Sequence, residues 1–234
     1  MNNRKGWIMK QTWRDLLFLH WPVDRSWLKN LLPKELEVDP FDGEAWIGIV
    51  PFEMSGIRFR GFPSVPFASN LLELNVRTYV KYGNKRGVYF FSLDASHDLG
   101  VWMARSIFHL PYYRATQSKS EQNGEFHFRS IRTHRGAKQS HFQIRYKPIG
   151  APYETIRENL DFWLTERECL FVVHKGKVYQ GDIKHERWPI QKATFNIVED
   201  TLSDGYFFTK EKAIAHFSSS VTTHLWPFKR VSEP

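Results

Sequence analysis

Residues 71–80 have the sequence LLELNVRTYV, which indicates a β-strand. Side chains alternate across a β-strand, so this stretch has one apolar face and one face that carries Glu73, Asn75, Arg77 and Tyr79. Alternation alone allows two interpretations. The polar face is either turned to solvent with a cross-strand ion pair, as in many antiparallel sheets, or it lines a closed barrel where its groups converge on a ligand.

Strand-like segments also dominate on both sides of this stretch. Residues 45–52 (AWIGIVPF) are apolar throughout, which is typical of a strand buried on both faces. A turn at residues 83–85 would join residues 71–80 to a second strand at residues 88–93 as a hairpin. Further strands are expected at residues 126–131, 141–147, 169–174, 177–180 and 194–198.

Helices are few in this pattern. Asp24 can cap a helix over residues 26–32, a second is expected near residues 99–108, and a third near residues 153–164. No stretch has the composition of an interdomain linker. We therefore expect one domain over residues 1–234 that is mainly β (a β-rich α+β fold), in which a barrel or folded sheet carries about three peripheral helices.

Composition narrows the possible functions. The single cysteine, Cys169, excludes an internal disulfide and a Cys-rich zinc site. No histidine spacing suggests a metal site, and no phosphate-binding loop or dinucleotide motif is present, so neither metal nor cofactor is predicted. The net charge is 33 − 25 = +8, but the basic residues are scattered, so nucleic acid is not the favoured partner. Aromatic residues make up 16%, which suits an aromatic-lined cavity.

Two further expectations concern location and assembly. The apolar runs are too short to cross a bilayer and the first ten residues do not resemble a signal peptide, so we expect a cytoplasmic protein without membrane contact. Residues 54–70 contain two glycines, two prolines and several aromatic anchors without strand alternation. They are expected to form a long loop, either a lid over a barrel mouth or a contact in a homo-oligomer.

The sequence resembles a known family. Residues 73–80 (ELNVRTYV) closely resemble the signature of the YqjF-like family, the domain of unknown function 2071. The resemblance spans residues 7–226 and includes the motifs at residues 41–46, 50–52, 87–94, 104–105, 110–115, 164–167 and 188–191. This family is similar to the acetoacetate decarboxylase-like superfamily, whose members fold as a cone-shaped closed β-barrel around a small cavity. The resemblance therefore implies that the polar face of residues 71–80 points into the barrel.

The resemblance also implies which chemistry to expect. Acetoacetate decarboxylase forms a Schiff base through one lysine of a pair that follows a proline. Here Pro111 is followed by Tyr112 and Tyr113, and no Lys-Lys pair occurs in the sequence. A tyrosine cannot form an imine with a ketone, so acetoacetate decarboxylase activity is not expected. The active-site glutamate of the superfamily is matched by Glu73.

The remaining candidate residues follow from these matches. An arginine expected near the first strand has no clear counterpart, since that stretch contains His20 and Trp21 instead. Glu73 would be the acid or base, Arg77 the anion clamp, and Tyr112 or Tyr113 the orienting donor. Candidate ligand-binding residues are Asn75, Arg77, Arg105, Arg114, His20 and Trp21.

Three functions are compatible with these observations. The leading hypothesis is a small-molecule-binding barrel that acts as an enzyme on a small organic acid or carbonyl compound without a Schiff base. The second, from a different class, is a non-catalytic ligand-binding or sensor protein that uses the same cavity. In both, the partner is a small molecule, with a carboxylate favoured. The third hypothesis, a binder of nucleic acid or another anionic surface, rests on net charge alone.

Overall fold

A computed structural model describes residues 6–63, 70–97, 101, 105, 108–204 and 212–231. Thirteen β-strands in this part of the chain belong to one sheet, and two helices accompany them. The strands are β1 (Met9–Val23), β2 (Glu37–Val38), β3 (Ala45–Phe59), β4 (Asn70–Tyr82), β5 (Lys85–Ala95), β6 (Tyr112–Gln122), β7 (Glu125–Arg132), β8 (His141–Tyr153), β9 (Cys169–His174), β10 (Lys177–His185), β11 (Ile190–Asp200), β12 (Ile214–Leu225) and β13 (Lys229–Arg230). The helices are α1 (Arg25–Leu31) and α2 (Leu160–Thr165). The chain is therefore mainly β, as the sequence predicts.

The strands pair into two closed rings that share one wall. The larger ring follows the order β5-β6-β7-β8-β11-β12-β1-β3-β4 and returns to β5. The smaller ring leaves β5 through β9 and β10, reaches β12, and returns through β1, β3 and β4. Both faces of the shared strands β12, β1, β3, β4 and β5 are therefore covered by other strands.

This topology explains why residues 45–52 are apolar throughout. On the face toward the larger ring, Leu19, Ile49 and Val76 are neighbours in register and belong to the main core, together with Phe128 and Ile144 from β7 and β8. The opposite face of the same strands is covered by the smaller ring. A strand that is buried on both faces needs no polar alternation.

The predicted loop over residues 54–70 is wrong in its first part. Strand β3 continues to Phe59 and pairs with β1, with Met9 opposite Phe59. Gly56 has a positive φ of 61° and lies at a register shift, so the side chains after it change faces by one residue. The sequence therefore does not show a continuous alternation over this part of the strand. Residues 64–69 lie outside the described residues, and a lid or subunit contact there stays a prediction.

The helices differ from the prediction in number and length. The described residues contain two helices, not about three, and the one expected at residues 99–108 falls largely outside them. Helix α1 has the predicted cap, since the Asp24 carboxylate accepts a 2.7 Å hydrogen bond from the Trp27 backbone N–H. The helix expected from residue 153 begins only at Leu160, because β8 extends to Tyr153. Neither helix is long and apolar enough to span a membrane.

Candidate ligand-binding cavity

The smaller ring encloses an elongated cavity of about 270 Å³. Along β1 its wall runs from Ile8 to Phe18, a distance of about 30 Å at the usual rise per residue. Most lining side chains are aliphatic or aromatic. The polar or ionisable ones are Gln11, Glu73, Asn75, Arg77, His97 and Tyr112, and no lysine lines the wall in the part of the chain that the structure describes.

Strand register arranges the wall in rows. At one end Met9, Phe59 and Leu225 are neighbours, and these three residues, which are only partly buried or exposed, are here called the rim. Gln11 follows on β1, and next comes an apolar row of Trp13, Met54 and Leu71. Beyond it Phe52 is paired with Glu73 and Val50 with Asn75, while Leu16 and Phe18 of β1 line the same part of the wall. The last row has His20, Gly48 and Arg77. Apart from Gln11, the polar lining residues of strands β1, β3 and β4 therefore lie in the rows far from the rim.

A buried acid–phenol pair lies in the middle of this wall. Glu73 is 3% exposed, and its Oε2 accepts a 2.7 Å hydrogen bond from the Tyr112 hydroxyl. Burial raises the pKa of Glu73 to about 7, although Tyr112 and Asn75 lower it by donating hydrogen bonds and Asp94 raises it slightly. Burial and the neighbouring Glu73 together raise the pKa of the Tyr112 phenol well above its usual value. Tyr112 is therefore a neutral donor, and Glu73 titrates near neutrality.

Asn75 lies one row beyond Glu73 and is 4% exposed. Its amide N–H donates to the Glu73 carboxylate, because that carboxylate when ionised only accepts hydrogen bonds. The Asn75 Oδ1 is buried and accepts no hydrogen bond from any residue of the described chain. The cavity wall thus contains a buried acceptor without a donor.

Arg77 lies in the last row, where its guanidinium is partly buried. Its Nη2 donates a 3.2 Å hydrogen bond to the Leu164 carbonyl, and the cation lies 5.4 Å from the Phe18 ring centre. Its Nε is buried without an acceptor, and among described residues no carboxylate forms an ion pair with Arg77. The positive charge at this end is therefore not neutralised by a side-chain anion.

His20 and Tyr79 close this end of the cavity. The Tyr79 hydroxyl donates to the Leu164 carbonyl at 2.6 Å, so it accepts from His20 Nε2 at 2.7 Å. Burial, the Arg77 charge and His216 lower the pKa of His20 well below 6.5, so His20 is neutral. Gly48 makes this row possible, since a Cβ there would lie 2.9 Å from the His20 ring.

Some predicted site residues lie elsewhere, and strand alternation explains two of them, Trp21 and Tyr113. Trp21 is next to His20 on β1 and points to the opposite face, where it is fully buried in the main core. Tyr113 is next to Tyr112 and points away from the cavity, with the Arg132 guanidinium 4.2 Å from its ring centre. Arg114 is exposed on β6. The structure does not place these three residues at the cavity.

Arg105 also lies outside the cavity wall. It is exposed, donates a 2.6 Å hydrogen bond to the Tyr112 backbone carbonyl, and lies over the Tyr113 ring. It therefore supports the backbone of Tyr112 from outside. Of the predicted site residues, the structure brings Glu73, Asn75, Arg77 and Tyr112 together on the cavity wall, with His20 directly behind Arg77.

Two of the sequence motifs, at residues 164–167 and 188–191, stabilise the cavity wall. Glu166 accepts a 3.0 Å hydrogen bond from the backbone N–H of Trp188, whose indole lines the wall. Arg167 donates to Asp39 at 2.8 Å and lies over the rings of Tyr79 and Trp163. These contacts join the segment after α2 to Tyr79 of β4, to Asp39 after β2 and to Trp188 before β11. The backbone carbonyl of Leu164 could not be foreseen as a site group from side-chain patterns.

The solved structures that resemble this chain share a single kind of fold. An acetoacetate decarboxylase-like enzyme from Sphingomonas wittichii RW1 aligns with a TM-score of 0.67 and 12% identity, covering 97% of this chain and 94% of that chain. The acetoacetate decarboxylase of Legionella pneumophila aligns with a TM-score of 0.66 and 14% identity, covering 99% and 90%. The enduracididine biosynthesis enzyme MppR aligns with a TM-score of 0.69 and 10% identity, covering 97% and 89%. The chain therefore has an acetoacetate decarboxylase-like fold.

Sequence similarity gives the family. The model of DUF2071, described as an uncharacterized conserved protein, matches residues 10–222, and the chain belongs to that family. It is 42% identical over 228 residues to the uncharacterized protein YqjF of Bacillus subtilis (strain 168), covering 97% of this chain and 93% of that protein. The resemblance inferred from the sequence is confirmed.

Proposed function

We propose that this chain binds a small organic acid or carbonyl compound in the cavity of the smaller ring and acts on it without forming a Schiff base. In this proposal the two rings form the cone-shaped barrel expected from the sequence, and the reaction takes place in the cytoplasm. Glu73 and Tyr112 act as an acid–base pair on the ligand, and Arg77 holds its carboxylate.

The observation that carries the proposal is the Glu73–Tyr112 pair in a largely apolar wall. A carboxyl group with a pKa of about 7 is present in both protonation states at neutral pH, so it can accept a proton from a substrate and return it. The Tyr112 hydroxyl donates to this carboxylate at 2.7 Å, and it can donate instead to a substrate oxygen on which negative charge develops. Together they can promote enolisation or proton transfer next to a carbonyl.

Two features support a non-covalent reaction on an anionic ligand. Tyr112 lies where the superfamily's lysine is expected, and no lysine lines the described cavity wall. Arg77 has no carboxylate partner in the described chain, and a guanidinium can hold a ligand carboxylate with two parallel hydrogen bonds. The ligand carboxylate would supply the anion that the protein side chains do not.

A binding and turnover screen tests the proposal. A panel of 2-oxo acids, hydroxy acids and simple carboxylates is added to the wild type and to Glu73→Gln, Tyr112→Phe and Tyr113→Phe, and saturation-transfer NMR detects binding. Exchange of ligand C–H protons in D₂O detects proton transfer. We expect binding in all four proteins, exchange in the wild type and Tyr113→Phe, and at least 100-fold slower exchange in Glu73→Gln.

The screen has two contrary outcomes. Binding without exchange in the wild type would identify a ligand-binding or sensor protein that uses the same cavity. No binding of any acid or carbonyl compound would overturn the proposal.

A further inference from the structure

We infer that the ligand is an apolar-tailed hydroxy acid that lies head-first in the cavity. Its carboxylate is on Arg77, its hydroxyl donates to Asn75 Oδ1, and its hydrocarbon body extends toward the rim. This inference rests on the binding part of the proposed function and adds to it the chemical class and orientation of the ligand.

The charge in the last row, at the end of the cavity opposite the rim (the deep end), determines the head group of the ligand. His20 is neutral and the Tyr79 hydroxyl is committed to the Leu164 carbonyl, so Arg77 supplies the charge in the last row. Arg167, the nearby second cation, is paired with Asp39 at 2.8 Å. An unneutralised guanidinium in a largely apolar cavity favours an anion, and a planar carboxylate matches its geometry.

The buried acceptor selects the second group of the ligand. Asn75 Oδ1 has no donor in the described chain, and an unsatisfied buried polar atom is costly by about 1–3 kcal/mol. Asn75 and Arg77 are two residues apart on β4, so their Cα atoms are about 7 Å apart on the same face. A hydroxyl on the second or third carbon from the carboxylate would reach the acceptor while the carboxylate contacts the arginine.

The apolar rows select the body of the ligand. Beyond Asn75, in the direction of the rim, the apolar wall is formed by side chains such as Leu16, Phe52, Met54 and Leu71. From Asn75 to Leu71 this section extends over about 13 Å along β4. A two- to four-carbon acid bound at Arg77 would leave this section without contacts. A longer hydrocarbon body would remove it from water, at about fourfold in affinity for each methylene.

The test measures dissociation constants by calorimetry for butanoate, hexanoate, octanoate, decanoate and 3-hydroxyoctanoate. We expect the constant to fall about fourfold per methylene from butanoate to octanoate. We also expect 3-hydroxyoctanoate to bind about fivefold more tightly than octanoate, and this preference to disappear in Asn75→Leu.

Two variants on β1 test the direction of the tail. Leu16 lines the cavity, whereas Arg14 is exposed. Leu16→Trp should weaken octanoate at least tenfold and leave butanoate unchanged, while Arg14→Trp should affect neither. Phe52→Trp, which fills the cavity from β3, replaces Leu16→Trp if the melting curve shows that the latter does not fold.

The outcomes separate the two proposals. Equal affinity for all chain lengths, or equal loss of butanoate and octanoate in Leu16→Trp, would overturn the inference and leave the proposed function standing. Failure of every acid and carbonyl compound to bind would overturn the proposed function and the inference with it.

Discussion

The hydroxyl of Tyr112 donates a 2.7 Å hydrogen bond to Oε2 of Glu73, across 39 residues of sequence and two paired strands. The contact exists because β6 pairs in parallel with the end of β5, with Tyr112 opposite Leu93. Leu93 is in turn opposite Asn75 on β4, so Tyr112 is brought beside the polar row of the cavity. The phenol is therefore held against the Glu73 carboxylate by the pairing of three strands.

The effect of this contact on Glu73 can be measured directly. Tyr112→Phe removes a hydrogen bond that stabilises the carboxylate, so the pKa of Glu73 should rise further above 7. Tyr113→Phe is the matched control, because the Tyr113 ring points away from the cavity, and it should leave the value unchanged. A titration of the Glu73 side-chain carbon by ¹³C NMR gives both numbers. An unchanged or lower pKa in Tyr112→Phe would contradict the assignment.

Glu73 should also make stability depend on pH in a specific direction. Its folded pKa of about 7 lies above its ordinary value of 4.5, so the folded state binds more protons between these limits. Stability should therefore be lost as pH rises from about 4.5 to 7. Glu73→Gln cannot ionise, so it should be more stable than the wild type by up to about 3 kcal/mol at pH 8 and equal to it at pH 4.

Urea unfolding at the two pH values measures this difference. Glu37→Gln is the control, because Glu37 is exposed in its pair with Lys81 and should show no such pH-dependent gain. A wild type that is more stable than Glu73→Gln at pH 8 would mean that the carboxylate is paired in the folded protein.

Schiff-base chemistry should be absent. Borohydride added with acetoacetate or pyruvate should give no covalent adduct by intact-mass spectrometry, while a lysine-dependent decarboxylase treated in parallel is labelled. Lys119, a partly buried lysine, forms ion pairs with Asp15 and Glu53 and does not line the cavity. A stoichiometric adduct on one lysine would restore the decarboxylase mechanism.

The buried ion pair between Asp39 and Arg167, behind the deep end of the cavity, should stabilise the folded protein. Asp39 and Arg167 are both almost fully buried, and Arg167 Nη1 donates to the Asp39 carboxylate at 2.8 Å. Arg167→Ala leaves a buried carboxylate poorly compensated and should lower the free energy of unfolding by about 3–5 kcal/mol. Arg86 also reaches Asp39, at 3.5 Å, but is mostly exposed, so Arg86→Ala should change stability by less than about 1 kcal/mol. Equal effects of the two variants in urea unfolding would contradict this account.

The sequence pattern predicted the positions of the strands better than which face of each strand points to the cavity. Alternation in residues 71–80 placed Glu73, Asn75 and Arg77 on one face, and the structure keeps them together. Alternation could not tell solvent from cavity, because both can accommodate polar groups. Whether these side chains face solvent or the cavity depends on β9 and β10, which close the smaller ring and lie about a hundred residues later in the chain.

Local irregularities in the strands make other parts of the cavity wall unpredictable from sequence alternation. Asp15 has a positive φ of 50° at a register shift in β1, so odd-numbered residues such as Gln11 and Trp13 face the cavity before it, and even-numbered residues such as Leu16 and Phe18 after it. A one-residue bulge reverses the face of every following side chain. Sequence alternation without the bulge would therefore place one half of β1 on the wrong face.

A crystal structure of the wild type soaked with 3-hydroxyoctanoate would show the bound ligand itself. We expect density for one molecule inside the smaller ring, with its carboxylate within hydrogen-bond distance of Arg77 and its tail toward Met9, Phe59 and Leu225. A ligand bound outside the ring, or a soaked crystal in which Glu73, Asn75 and Arg77 contact only protein, would refute this binding mode.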